Sequence, residues 1–100
     1  MNFLTFVSEY EKLIKEEFQL LELNYVPYSF DSGFSAYRIK GKIIVITFDG
    51  KEGTINVSIS SNHEKYPTNS LTSIYEHTIN TLNENTIKEI SEKINQEISN

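Results

Sequence analysis

The stretch Lys42 to Phe48 (KIIVITF), followed at once by Asp49-Gly50, limits the fold of this chain more than any other segment. Its isoleucines, valine and threonine favour a pleated strand, and apolar side chains fall on both alternating sets, as in a central strand. Asp49-Gly50, continued by Lys51, Glu52 and Gly53, is a hairpin signal. After it Thr54 to Ser60 alternate, with Ile55, Val57 and Ile59 pointing one way and Thr54, Asn56, Ser58 and Ser60 the other. Upstream, Gly41 marks a tight turn after a strand near Phe34 to Lys40. The expectation is a three-stranded antiparallel meander.

Apolar residues at Phe3, Phe6, Val7, Tyr10, Leu13, Ile14, Phe18 and Leu21 recur at three- and four-residue steps, which predicts an amphipathic helix ending near residue 24. Asn24 would close it and Pro27 would prevent its resumption. Tyr25 to Ser35 then reads as an extended piece, a turn at Asp31-Ser32-Gly33 and the start of a strand. Beyond the polar loop Ser61 to Ser70, Leu71, Ile74, Tyr75, Thr78, Ile79 and Leu82 return to helical spacing. Thr86-Ile87-Lys88-Glu89 fits a capping box, ahead of a stripe of Ile87, Ile90, Ile94 and Ile98. The order is a helix, three strands, then one or two helices on the apolar face of the sheet: a single α+β domain over residues 1–100. This register requires Ile55, Val57 and Ile59 to face the first helix.

Fourteen acidic against nine basic residues leave a net charge of −5, which disfavours nucleic acid as a partner, since a phosphate-backbone binder needs a basic surface. Residues 1–37 carry −4 (six acids, two bases), 38–60 carry +2 (two acids, four bases) and 61–100 carry −3 (six acids, three bases). Acidity therefore gathers in the predicted helices, either as solvated faces or as a docking surface for a basic partner. With no cysteine, disulfide frameworks and thiolate sites are excluded. Met1 to Leu13 has no basic leader region, and no apolar run approaches the roughly 20 residues that span a bilayer, so neither a signal peptide nor a membrane partner is expected and the location reads as cytoplasmic.

No residue pattern assembles catalytic chemistry. His63-Glu64 begins like a zinc H-E-x-x-H motif, but Pro67 stands where the second histidine belongs, and His77 is fourteen residues from His63. Neither a metal nor a cofactor is expected. The glycine-containing Asp49 to Gly53 segment leads into a strand rather than a helix, which makes it a hairpin turn and not a phosphate cradle. Asp31, Asp49, Glu52 and Glu64 fall in or beside loops with no spacing that selects an acid–base pair, and no serine or threonine sits in a nucleophile elbow. The reading is of a protein that is not an enzyme.

Five rings within thirteen residues, Tyr25, Tyr28, Phe30, Phe34 and Tyr37, exceed what one edge segment buries. Some belong to the core; with Arg38, the only arginine, Tyr25, Tyr28, Phe34 and Tyr37 are the candidates for a recognition surface, tyrosine and arginine being favoured anchors. Glu16 and Glu17, at the margin of the first helix's apolar stripe, are candidates for steering a basic protein partner. If Ile44, Ile46 and Phe48 face the helices, Ile43 and Val45 face the other way, on a patch that would hold a homodimer.

The segments Gly33-Phe34, Arg38 to Lys42, Phe48 to Gly53 and Ser60 to Pro67 resemble small bacterial immunity proteins encoded beside polymorphic toxins. The resemblance spans roughly residues 20–67 and consists of turn and strand chemistry. It implies a stoichiometric inhibitor of a toxin domain, often acidic because many such toxins are basic. The competing expectations are a self-associating regulatory or assembly module, and a small ligand-binding protein or enzyme with a pocket between helix and sheet.

Overall fold

A computed structural model describes residues 1–79 and 81–99. The order is α1 (Phe3–Glu11), β1 (Gln19–Val26), β2 (Ser32–Ile39), β3 (Lys42–Asp49), β4 (Thr54–Ser60), β5 (Leu71–Thr78) and α2 (Glu84–Ile98). The strands form one antiparallel sheet in sequence order, with β3 at its centre and β1 and β5 at its edges. The class is α+β, with five strands where the sequence reading had three. The predicted helix to residue 24 ends at Glu11, and its second half is β1; the predicted helix at Leu71 is β5. One helix, not two, closes the chain.

The centre of the sheet forms as its sequence dictates. Ile44, Ile46 and Phe48 of β3 oppose Ile59, Val57 and Ile55 of β4, and all face the helices. Ile55 and Val57 are fully buried and Ile59 partly, in one core with Phe3, Phe6, Val7 and Tyr10 of α1 and Ile87, Ile90, Ile94 and Ile98 of α2. The β2–β3 turn uses Lys40 and Gly41, both at positive φ (50° and 78°). The β3–β4 turn is tied by Asp49, whose carboxylate accepts the amides of Lys51 and Glu52 at 3.1 Å.

Helix ends differ from the expected caps. Asn2 caps α1, accepting the Thr5 amide at 2.8 Å. Asn83 caps α2, accepting the Thr86 amide at 3.0 Å, so the helix begins a turn before the predicted capping box and Thr86 is buried within it. Glu89 instead accepts the Tyr75 hydroxyl at 2.6 Å, fastening α2 to β5. A chain of hydroxyls anchors α1 to the sheet: Tyr10 bonds Ser35, its hydroxyl lies 3.0 Å from that of Tyr37, and Tyr37 donates to the Glu11 carboxylate at 2.6 Å. Burial pushes both phenols to raised pKa values, holding them neutral.

The turn between β1 and β2 spans residues 27–31, earlier than the Asp31-Ser32-Gly33 turn expected. Asp31 carries it: one carboxylate oxygen accepts the Phe3 amide at 3.0 Å and the other accepts the Tyr25 hydroxyl, whose pKa that bond raises. The turn also touches the β3–β4 hairpin, where a Cβ on Gly50 would stand 1.6 Å from the carbonyl oxygen of Phe30. Only glycine fits there.

Candidate protein-binding surface

Three of the loop carboxylates serve the fold. Asp31 and Asp49 hold turns, and Glu64 accepts a hydroxyl from Thr68 at 3.4 Å. His63 sits at φ 63° beside Gly41, and His77 lies exposed on β5 near the Tyr75 ring. Among the described residues no group of three or more His, Asp or Glu stands where it could hold a metal ion, and no buried side-chain polar atom lacks a partner. The core lies between helices and sheet, and an open hollow of about 370 Å³ runs between α1 and α2, lined by Met1, Thr5, Glu9, Lys12, Leu13 and Ile87 among others.

The outer face of the sheet, opposite the helices, is partly roofed by the loop Ser61 to Ser70. The His63 amide donates to the Gly41 carbonyl at 2.7 Å, Arg38 donates to the Glu64 carbonyl at 3.0 Å, and Tyr66 reaches Glu22 of β1 at 2.5 Å. Desolvation, with the bond to Glu22, pushes the Tyr66 phenol up to about 12. Ile43 is buried on this face, and its amide donates to Ser60 Oγ at 2.8 Å. The expected homodimer patch of Ile43 and Val45 is therefore corrected: Ile43 presents no surface, and only the half-buried Val45 and Phe34 remain on the uncovered part.

The other sequence-based candidates separate in the same way. Tyr37 is buried against Tyr10 and Phe18, which removes it from any contact surface. Tyr25 is half-buried, stacked on Phe3. Arg38 is committed to the loop carbonyl. Glu16 pairs with Lys40 at 3.3 Å, Glu17 is exposed, and both lie in the connection between α1 and β1 rather than on a helix. Tyr28 is 91% exposed at the tip of the 27–31 turn.

Every exposed large apolar side chain among the described residues lies in the first thirty positions: Met1, Leu4, Leu13, Phe18, Leu20, Leu23, Tyr28 and Phe30. Geometry gathers most of them on one flank. Leu23 opposes Ser35 and Leu20 opposes Tyr37; since opposed residues share a face and Ser35 and Tyr37 both meet Tyr10, Leu20 and Leu23 stand on the helix side of the edge strand. The Phe18 ring meets Tyr37 edge-on at 5.3 Å. Leu4 and Glu11 are seven residues apart on one side of α1, and Glu11 bonds Tyr37, whereas Thr5 and Glu9 face the groove toward α2. Leu4 thus looks over β1. Tyr28, at the tip of the 27–31 turn, continues this flank at one end, while the 65% exposed Phe30 of the same turn lies toward the β3–β4 hairpin, in a hollow it shares with Met1, Gly50 and Leu82.

Sequence reading missed Leu4, Phe18, Leu20 and Leu23, because a helix through residue 23 assigned them to a buried stripe or its margin; Phe30 was named in the aromatic set but not among the recognition candidates. The alternation Glu22-Leu23-Asn24-Tyr25 was the signal for a strand. No family model, curated protein or solved structure matches this chain.

Proposed function

We propose that this chain is a non-catalytic protein-binding module whose contact surface is the flank formed by α1, β1 and the 27–31 turn. The observation that carries this reading is the confinement of all exposed large apolar side chains to residues 1–30, where Tyr28 and Phe30 project from a turn held by Asp31. Scattered apolar residues are ordinary on a surface; a concentration of them on one flank marks an interaction site. An aromatic anchor that becomes buried at the centre of an interface contributes about 2 kcal/mol or more.

The partner suited to this flank is basic, since residues 1–37 carry −4 and long-range attraction would steer it. The resemblance to immunity proteins names such a partner class, a toxin domain neutralised by occlusion, inside the cell that makes both. The test is a titration, with the purified chain, of the activity of any basic toxin domain encoded beside this gene. A stoichiometric inhibitor abolishes it linearly up to one equivalent, with an association rate that falls as salt is added. Consumption of the partner by sub-stoichiometric amounts would contradict the non-catalytic reading, and the absence of any complex would contradict the partner class.

A further inference from the structure

β1 is an outer strand, so alternate backbone N–H and C=O groups along it point away from β2 with no strand to receive them. Such edges are ordinarily blunted by lysine, proline or inward-facing charge. Gln19–Val26 contains no lysine or proline, and its one charged residue, Glu22, is on the outer face, bound by Tyr66. Its bulge is confined to Leu20–Glu22, leaving the strand regular from there to Val26. The opposite edge differs: β5 exposes Thr72, Ser73, Glu76, His77 and Thr78. Of the two edges, β1 alone joins open backbone to an exposed apolar row.

We infer that a second copy of this chain pairs with β1, antiparallel, about a two-fold axis at Leu23, extending the sheet to ten strands. This rests on the protein-binding reading and names the occupant of one part of the surface, leaving Tyr28 and Phe30 free for a different partner. The register is self-complementary over Glu22–Asn24, and Tyr25 and Val26 of each copy fall opposite Leu21 and Leu20 in the bulge of the other. With Leu23 opposite its own copy, Glu22 falls opposite Asn24, so a carboxylate meets an amide on the outer face while Leu23 meets Leu23 on the helix face. Moving the axis to Glu22 would oppose two carboxylates, which is unfavourable. Moving it to Asn24 would set Glu22 against Val26.

Size supports the same occupant. With the axis at Leu23 the overlap is Leu20–Val26, about 23 Å long, which against the molecule's shortest extent of 20 Å gives a projected footprint on the order of 450 Å². Corrugation and the side chains of Leu4, Phe18 and Leu20 add to this projection, toward the roughly 800 Å² per partner of a stable complex. The contact itself is nearly uncharged, but each copy carries −5, so salt strengthens this association, the reverse of its effect on a basic partner.

The absence of cysteine makes the register directly testable. Leu23→Cys places two thiols across the axis, within the Cα separation that a disulfide tolerates, so mild oxidation converts most of the protein to a covalent dimer. Thr72→Cys on β5 and Leu13→Cys cross-link only at the collisional level. Wild type sediments at twice 11.6 kDa, and Leu23→Lys sediments as a monomer with an unchanged circular dichroism spectrum. A wild-type monomer at the cross-linking concentration, or equal cross-linking at Thr72→Cys, overturns the dimer. Either result leaves the protein-binding reading to its own titration, which does not depend on self-association.

Discussion

The side-chain amide of Asn95, in α2, donates a 3.0 Å hydrogen bond to the carbonyl oxygen of Leu13, just beyond the end of α1. Its oxygen accepts the Lys15 amide, also at 3.0 Å. One residue from the far end of the chain thus holds both a donor and an acceptor of the segment where α1 gives way to the path toward β1. Asn95→Ala should therefore lower stability by about 1–2 kcal/mol, the cost of two solvent-accessible hydrogen bonds. Asn95→Asp keeps the acceptor and loses the donor, so it should fall between. Denaturant midpoints at constant m-value check both.

That bond also explains why the end of α1 was not legible in the sequence. The three- and four-residue spacing runs on past Glu11, and Leu13-Ile14-Lys15 contains no glycine or proline. The stop comes from a contact more than eighty residues away. The two missed strands share a further cause. Each lies at a sheet edge and each has a register shift, between Leu20 and Glu22 in β1 and between Val57 and Ser58 on the β4 side of its pairing with β5, where Ile74 is the extra residue. A bulge inserts one residue into a period of two, so Leu20-Leu21 and Ile74-Tyr75 become apolar neighbours and the spacing resembles that of a helix. The central strands, free of such shifts, were read correctly, as was the Ile87, Ile90, Ile94, Ile98 stripe of α2. Of the surface, Tyr28 was visible as an aromatic in a turn, whereas the apolar row of β1 was hidden inside the supposed helix.

Gly50 should be nearly irreplaceable. Gly50→Ala sets a methyl group against the Phe30 carbonyl, an approach that neither the hairpin nor the 27–31 turn can relieve without moving backbone. The expected loss is about 3 kcal/mol or more, against less than about 0.5 kcal/mol for Lys51→Ala on the same turn. Thermal melts of the two variants side by side read the difference.

Stability should be insensitive to mild alkali and then fall. Tyr10, Tyr25, Tyr37, Tyr66 and Tyr75 all have pKa values raised above the ordinary 10.0, by burial or by a hydrogen bond to a carboxylate. A phenol raised in the folded state keeps its proton longer than in the unfolded chain. Its contribution is fully present below about pH 10 and is lost as the pH climbs through the folded-state value, about 12 for Tyr66. Urea midpoints measured upward from about pH 8 should hold level to near pH 10 and decline beyond it. Tyr66→Phe should lose part of that decline, since it no longer carries the proton in question.

The assignment of the contact to the α1–β1 flank and the 27–31 turn is most directly tested by affinity for the partner measured with variants on two sides of the molecule. Tyr28→Ala and Phe30→Ala, on the 27–31 turn, should each keep the wild-type melting temperature and weaken binding at least tenfold, mainly through faster dissociation, as for a buried aromatic anchor. Thr72→Ala and Glu76→Ala, on the opposite edge, should leave affinity unchanged. Loss of affinity in the β5 variants with none in the turn variants would place the contact elsewhere and contradict the account.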